Sequence, residues 1–341
     1  MTHANAPPLT AAAEIDMAER HDAAGRHDEA INCLARATRQ GDVEAKTRLA
    51  KRLLVGDRAP LLWREGAAFI REAALAGGAE AAALLAVLVA AGLGGRHDWK
   101  AALELAQLAA ARGWTPAARQ LEVLAAATGR IDPATWVEAP AVVPLHDGPD
   151  IRLLPSFAND EVCEWLIERS RGRLERAKVY DAASKSDVVS PTRTNSAACF
   201  NLVDTDLVHL MVQTRIAIAT GIPLANMEGA TVLHYDIGEE ITNHYDFVDP
   251  TLPDYEEHVR TRGERIITFL VYLNDDYDCG ETEFPRLGIR HKGRRGDALY
   301  FTNALPTGEP DLRSWHAGRP PQRSEKWIFS QFIRNRRVLH I

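Results

Sequence analysis

Residues 231–247 read TVLHYDIGEEITNHYDF, in which apolar and polar residues alternate and the triplet His-Tyr-Asp occurs twice. Alternation of this kind predicts short β-strands with one buried face. Further alternating runs follow, RIITFLVYL at 265–273, GDALYF at 296–301 and KWIFSQFI at 326–333, and Gly, Pro, Asn or Asp residues bound them. Short strands at this spacing predict an all-β barrel or sandwich in the C-terminal half.

The two triplets, 234–236 and 244–246, each place an imidazole and a carboxylate two residues apart. Side chains two apart on a strand point to the same face, so each triplet delivers both groups to one point. These are two of the three ligands in the 2-His-1-carboxylate facial triad of non-haem iron oxygenases. A single His-x-Asp triplet is a weak signal, because it more often lies on an ordinary surface strand.

Alternation alone does not choose between the triplets. Leu233, Tyr235 and Ile237 share a face that is expected to be buried, which would turn His234 towards solvent. The residues around His244 alternate in the same way. The period of the pattern therefore leaves the choice open.

The third ligand of a facial triad would be a distant histidine on another strand. His316 precedes Lys326 by ten residues. Since 2-oxoglutarate chelates iron through its keto acid end, its far carboxylate needs a cation deeper in the barrel, and a lysine can supply it. The alternative is that Lys326 is a solvated charge at a strand end, the usual situation of lysine. The apolar neighbours Trp327, Ile328 and Phe329 favour the buried position.

From about Ile151 to Arg336 the chain resembles the prolyl 4-hydroxylase family of iron(II)- and 2-oxoglutarate-dependent dioxygenases. The family pattern runs Tyr-x-x-Gly, His-x-Asp, a strand, Gly-Glu-Thr-x-Phe-Pro, a Gly-Asp-Ala strand, and His with Lys ten residues later. The matching positions are Tyr235, Gly238, His244, Asp246, 268–273, 280–285, 296–298, His316 and Lys326, with 193–196 further upstream. The resemblance implies a double-stranded β-helix, or jelly roll, with flanking helices.

The resemblance also implies which residues form the site. It makes His244, Asp246 and His316 the iron ligands, with no catalytic side chain beyond the metal centre. It implies that 2-oxoglutarate and dioxygen are cosubstrates, that succinate and carbon dioxide are released, and that ascorbate keeps the iron reduced. The residues that it assigns to 2-oxoglutarate are Lys326, Tyr235 and Thr268. The expected reaction is hydroxylation of an unactivated C–H bond of a prolyl or other residue in a protein or peptide.

The N-terminal region repeats with a period of 36 residues and is rich in Ala, Leu, Glu and Arg. Small residues at fixed places in such a period indicate stacked helix pairs, with glycine ending the second helix of each pair. The repeated positions are Gly41, Gly77, Gly113, Ala37, Ala73, Ala109, Ala45, Ala81, Ala117, Leu49, Leu85 and Leu121. The region resembles the SEL-type subclass of tetratricopeptide repeats, which implies an all-α solenoid. An Ala-rich helical bundle is the alternative.

The chain is therefore predicted to be multidomain, with helical repeats at 10–128, a Pro-rich linker at 129–150 and the oxygenase domain at 151–338. A net charge of −7 without a clustered basic face argues against nucleic-acid binding. The most apolar stretch is too short to span a membrane. Scattered cysteines without a CxxC pair, and no signal-peptide pattern at the N-terminus, favour a cytoplasmic protein.

Two features of the sequence have more than one interpretation. Residues 247–262 are long for a hairpin connection, so they form either a binding loop or lid, or a solvated disordered loop. The predicted partner is a protein or peptide substrate recruited by the repeats, since repeat arrays offer a concave surface. The alternatives are a hydroxylase of a free amino acid or small molecule, and a catalytically weak repeat-domain scaffold.

Overall fold

The computed structural model describes residues 9–93, 95–126, 131–136, 138, 141–181 and 186–338. The chain divides into two compact units. The first comprises Met1–Glu122 with Leu202–Leu207, and the second comprises Val123–Asn201 with Val208–Leu339. None of the described helices is both long enough and apolar enough to cross a membrane.

All regular elements described in the N-terminal region are helices. Its helices are α1 (Ala11–Ala23), α2 (His27–Arg39), α3 (Val43–Val55), α4 (Trp63–Leu75), α5 (Ala79–Ala90), α6 (Trp99–Ala111) and α7 (Thr115–Ala125). Helix α1 packs against α2, α3 against α4 and α5 against α6. The side chains of Thr10, Asp42 and Asp98 accept hydrogen bonds from backbone N–H groups of α1, α3 and α6, as N-caps do.

The structure confirms the predicted 36-residue helical repeat. Gly41, Gly77 and Gly113 follow α2, α4 and α6 with φ angles of 87°, 102° and 90°, a left-handed conformation that favours glycine. The repeated alanines are at most 1% exposed, so neighbouring helices approach closely at these positions: Ala37, Ala73, Ala109, Ala45, Ala81 and Ala117. The small residues are therefore explained by helix packing.

The predicted linker at 129–150 contains regular structure. Helix α8 (Pro133–Trp136) is followed by strand β1 (Val143–Asp147), which pairs with β2 (Asp150–Leu154). Strand β2 also pairs with a later strand of the large sheet, so this hairpin forms the edge of that sheet. Pro140 lies outside the described residues, and the domain boundaries remain predictions.

The C-terminal unit is built around two antiparallel sheets. The remaining strands are β3 (Glu175–Arg176), β4 (Lys178–Asp181), β5 (Ser186–Val189), β6 (Ser196–Phe200), β7 (Ala230–Tyr235), β8 (Ile241–His244), β9 (Arg265–Tyr272), β10 (Asp278–Cys279), β11 (Thr282–Phe284), β12 (Ile289–His291), β13 (Ala298–Thr302), β14 (His316–Gly318), β15 (Pro321–Gln322) and β16 (Lys326–Arg334). The large sheet has the order β1-β2-β13-β9-β16-β7-β6-β3, and the small sheet has the order β12-β11-β14-β8. The four alternating runs are strands β7, β9, β13 and β16, as predicted.

A hydrophobic core joins the two sheets, and helices flank the large one. Leu270 on β9 and Ile328 on β16 belong to the same buried cluster as Phe284 on β11 of the small sheet. The helices that follow α8 are α9 (Asp160–Arg171), α10 (Leu207–Thr220) and α11 (Tyr255–Arg262). Gln213 on α10 donates to Gln331 on β16 at 2.9 Å, so α10 contacts the large sheet. The double-stranded β-helix with flanking helices is confirmed.

Two local features, the end of strand β7 and the segment at 247–262, bear on the expectations from sequence. Strand β7 ends at Tyr235, so Ile237 lies beyond the strand and is 57% exposed; the expected burial of Ile237 is wrong. The segment at 247–262, for which the sequence left a binding loop or lid and a solvated disordered loop as alternatives, contains helix α11. Buried Glu264 holds this segment, because its carboxylate accepts from the N–H of Val248 at 2.8 Å and the hydroxyl of Tyr255 at 3.4 Å.

Candidate metal centre and cosubstrate cavity

Neighbouring strands of the small sheet bring two histidines close together. His244 on β8 pairs with His316 on β14, and their ring centroids are 4.3 Å apart. Asp246 follows just past the end of β8. Its carboxylate oxygens lie 3.4 Å from Nε2 of His244 and 3.3 Å from Nε2 of His316. The ligand atoms of these residues all lie within 4.8 Å of one another, so the sheet register assembles a two-histidine, one-carboxylate group.

Backbone carbonyls set the orientation of both imidazoles. Nδ1 of His244 is 2.8 Å from the Thr242 carbonyl oxygen, and Nδ1 of His316 is 2.9 Å from the Ser314 carbonyl oxygen. Since a carbonyl can only accept, each Nδ1 carries the proton and donates it. Nε2 is therefore the ring nitrogen of each histidine that faces Asp246 and the common point, the arrangement that suits a metal ligand.

Hydrogen bonds hold the Asp246 carboxylate in place. The Thr268 hydroxyl donates to Asp246 Oδ2 at 2.7 Å and accepts from Asn303 Nδ2 at 2.9 Å. Burial raises the pKa of Asp246, but the charges and hydrogen bonds of His316 and His244 outweigh burial and hold that pKa well below its usual range. The carboxyl group is therefore ionised, which is the form that binds a cation.

The other His-Tyr-Asp triplet lies apart from this group. Nε2 of His234 is 2.9 Å from a carboxylate oxygen of Glu325, and the His234 ring packs on Trp327 at 4.3 Å. Asp236 is exposed. Neither His234 nor Asp236 lines the cavity beside His244. The structure thus separates two triplets that the alternation of the sequence leaves equivalent.

A cavity of about 500 Å³ connects the histidine–carboxylate group with a buried lysine. Lys326 is 0% exposed, so the alternative of a solvated strand-end charge is wrong. Its Nζ has no hydrogen-bond partner among the described residues and lies 4.6 Å from the ring centroid of Tyr235, its neighbour on β7. Burial lowers the pKa of Lys326 to about 7, against the opposing charge of Glu281. A buried ammonium without an acceptor is costly, so this end of the cavity suits an anion.

The other two residues expected to bind 2-oxoglutarate also line the cavity. Burial raises the pKa of Tyr235, so its hydroxyl remains a neutral donor. The Thr268 hydroxyl is instead committed to Asp246. This hydrogen bond supports a role for Thr268 in holding the Asp246 carboxylate. A contact between Thr268 and 2-oxoglutarate stays a prediction.

Sequence reasoning missed Asn303, whose side chain donates to the Thr268 hydroxyl. Asn303 is 0% exposed and directly follows β13. An amide placed at the buried end of a predicted strand is the one signal that could have identified it, because buried amides require partners.

Comparison with known proteins gives matches to both halves of the chain. The profile of the 2OG-Fe(II) oxygenase superfamily matches residues 230–334. The protein named "Probable prolyl 4-hydroxylase 9" from Arabidopsis thaliana is 31% identical over 198 residues, which cover 53% of this chain and 67% of that protein. The residues present fit the cofactors of this superfamily. The two imidazoles and the carboxylate suit iron(II), and the unpartnered Lys326 suits the far carboxylate of 2-oxoglutarate.

Two solved structures are similar to different parts of the chain. The viral collagen prolyl hydroxylase of Paramecium Bursaria Chlorella virus-1, in complex with 2-oxoglutarate, is 23% identical with a TM-score of 0.42, covering 56% of this chain and 98% of that chain. A Sel1 repeat protein from Oxalobacter formigenes is 21% identical with a TM-score of 0.33, covering 36% of this chain and 51% of that chain.

Proposed function

Since this chain belongs to the prolyl 4-hydroxylase family of iron(II)- and 2-oxoglutarate-dependent oxygenases, we propose that it hydroxylates a prolyl residue in a protein or peptide. The observation that carries the proposal is one cavity lined both by the histidine–carboxylate group and by the unpartnered Lys326. The prolyl 4-hydroxylase names of its relatives support the choice of residue.

In this proposal His244, Asp246 and His316 would hold the iron. The bound iron, with 2-oxoglutarate and dioxygen, supplies the oxidation that converts an unactivated C–H bond to C–OH and 2-oxoglutarate to succinate and carbon dioxide. The chain itself supplies geometry. The carbonyls of Thr242 and Ser314 fix the imidazoles before the metal arrives, so little reorganisation is needed on binding.

The far end of the cavity receives the second carboxylate of 2-oxoglutarate. Lys326 pairs with this carboxylate as a cation, and Tyr235 donates a neutral hydrogen bond from the adjacent strand. Leu270 and Ile328 line the same cavity with apolar side chains. Exclusion of water by such walls strengthens the ion pair, because charges interact more strongly in a low dielectric.

In this proposal the substrate occupies the rest of the same cavity, whose lining also includes charged and aromatic side chains. Lys178 and Arg193 line it with cationic side chains, and Phe332 lines it with an aromatic ring. The guanidinium of Arg265 stacks on that ring at 4.0 Å, which fixes the ring in place. An apolar pyrrolidine ring packs well against Phe332, and peptide carbonyls accept from the guanidinium of Arg193.

The reaction is tested with the full chain, iron(II), 2-oxoglutarate and ¹⁸O-labelled dioxygen. Proline-rich peptides are expected to gain one labelled oxygen on proline, seen by tandem mass spectrometry, while matched peptides with Pro→Ala gain none. Free L-proline is offered in parallel. Labelling of free proline with no labelling of any peptide would replace the proposal with a small-molecule hydroxylase.

We also propose that the helical repeats recruit the protein substrate. The supporting observation is the repeat array itself, whose helices α1 to α6 pack as successive pairs. Arrays of this kind present extended surfaces to other proteins. Recruitment raises the local substrate concentration at the active site, so it acts mainly on the Michaelis constant.

Recruitment is tested by competition in trans. A folded fragment of residues 1–126 is added in excess to the full-length enzyme. Hydroxylation of an intact target protein at low concentration is expected to slow about tenfold or more, whereas hydroxylation of a short peptide from the same target is unchanged. Equal rates on the intact target with and without the fragment would show that the repeats do not bind it.

A further inference from the structure

Two aromatic side chains lie within the segments that carry the proposed iron ligands. Tyr245 stands between His244 and Asp246, and Trp315 directly precedes His316. The ring centroids of Tyr245 and Trp315 are 4.5 Å apart, with an interplanar angle of 54°. The two ligand-bearing segments therefore touch through these rings as well as through the ligands themselves.

A third segment contacts both rings through one arginine. Arg286 lies just after β11, and its guanidinium carbon is 5.6 Å from the ring centroid of Tyr245 and 5.4 Å from that of Trp315. Its Nη1 donates to the Tyr245 hydroxyl at 2.6 Å and also to the Leu312 carbonyl. The Tyr245 hydroxyl donates to the same carbonyl at 3.3 Å. One side chain thus connects three parts of the chain that are distant in sequence.

The carbonyl that Arg286 holds belongs to the turn that orients His316. Leu312 begins a short 3-10 helix that ends at Ser314. The Ser314 carbonyl accepts from Nδ1 of His316 and fixes the tautomer of that ring. A shift of this turn would therefore move the acceptor that keeps Nε2 of His316 directed at the metal position.

We propose that Arg286 is a positioning residue for the metal centre, holding the His244–Asp246 segment and the His316 segment at the spacing that the metal requires. The inference rests on the proposed function for the identity of the ligands. Arginine suits this task because its planar guanidinium can stack on aromatic rings while its N–H groups serve two acceptors. Lysine has a single ammonium and cannot reproduce both the stacking and the fixed geometry.

The expected loss of metal affinity on substitution of Arg286 is limited, because Arg286 is not itself one of the proposed ligands. Loss of residues that orient metal ligands typically lowers metal affinity about 10–100-fold. Arg286 is exposed to solvent, which weakens its individual contacts, so the lower end of that range is expected. We expect Arg286→Gln to weaken metal binding about tenfold.

The test uses the full-length protein stripped of metal and titrated with cobalt(II), a spectroscopic substitute for iron(II). Arg286→Gln is expected to raise the dissociation constant and to change the visible absorption spectrum of the bound cobalt. Arg286→Lys should restore little of the wild-type affinity or of the wild-type spectrum. Tyr245→Phe removes only one hydroxyl and should show a smaller change in the same direction. The matched control is Arg260→Gln, an exposed arginine paired with Glu257, which should bind cobalt normally.

The outcomes separate this inference from the proposed function. If His244→Ala binds cobalt as the wild type does, the proposed ligand set is wrong. If His244→Ala loses binding while Arg286→Gln keeps normal affinity and an unchanged spectrum, the positioning role of Arg286 is wrong and the ligand set stands. A lower melting temperature in Arg286→Gln, with cobalt affinity and spectrum unchanged, would likewise overturn the inference in favour of simple stabilisation.

Discussion

Alanine in place of His244, Asp246 or His316 is expected to abolish 2-oxoglutarate turnover. Each residue supplies one of the ligand atoms that lie within 4.8 Å of one another, so each variant leaves only two donor groups to hold the metal. The metal contributes several kcal/mol to such reactions. Because each 1.36 kcal/mol is a factor of ten, turnover should fall by at least about a hundredfold. Release of succinate, with cobalt(II) titration of the same samples, measures both activity and binding.

The other triplet supplies matched controls for these variants. His234→Ala loses a partly exposed contact with Glu325, and Asp236→Ala loses an exposed carboxylate, so each should keep normal turnover. The expected loss of stability is small, about 1 kcal/mol or less. If His234→Ala is inactive while His244→Ala is active, this proposal has assigned the iron to the wrong triplet.

Strand positions in the C-terminal half could be predicted because alternation with a period of two follows directly from strand geometry. Strands β7, β9, β13 and β16 all lie where the alternating runs are. The helical repeat could also be predicted from the sequence. Helix packing requires small side chains at the same place in every copy, as Ala37, Ala73 and Ala109 show with 0% exposure.

The choice between the triplets could not be made from alternation because alternation says nothing about where a strand stops. The expected buried face included Ile237, yet β7 ends at Tyr235 and Ile237 is exposed. What separates the triplets is the register of β14 against β8, which sets His316 opposite His244. Register between distant strands depends on the whole sheet, so the family pattern was needed to anticipate it.

The residues that support the proposed ligands could not be predicted from local sequence patterns either. Asn303 donates to Thr268 from 35 positions away, and Arg286 donates to Tyr245 from 41 positions away. Nothing in the sequence around Arg286 distinguishes it from other exposed arginines. Such contacts become visible only when the fold has brought the segments together, because their spacing along the chain has no period.

Lys326→Met is expected to leave metal binding intact but to remove most of the affinity for 2-oxoglutarate. Methionine keeps a similar apolar stem without the charge. Loss of one partner of a buried ion pair costs about 3–5 kcal/mol. This corresponds to roughly a hundred- to several-thousand-fold in the dissociation constant. Tyr235→Phe loses one neutral donor and should cost only about 1–2 kcal/mol. Calorimetric titration of 2-oxoglutarate into the cobalt-loaded protein measures both, and unchanged affinity in Lys326→Met would place the lysine outside the site.

The same lysine should make 2-oxoglutarate binding depend on pH. Burial lowers the pKa of Lys326 to about 7 in the ligand-free protein, and a bound carboxylate raises it again. Above about pH 7 the lysine must therefore take up a proton when the ligand binds, so affinity should fall by about tenfold per pH unit, whereas below about pH 6 it should be nearly constant.

Calorimetry in two buffers with different heats of ionisation should detect uptake of about one proton near pH 8 and almost none near pH 6. Lys326→Arg keeps its charge at every pH in this range, so any residual binding by that variant should show no such dependence. Equal affinity at about pH 6 and pH 8.5 in the wild type, without proton uptake, would show that Lys326 is already charged before 2-oxoglutarate binds.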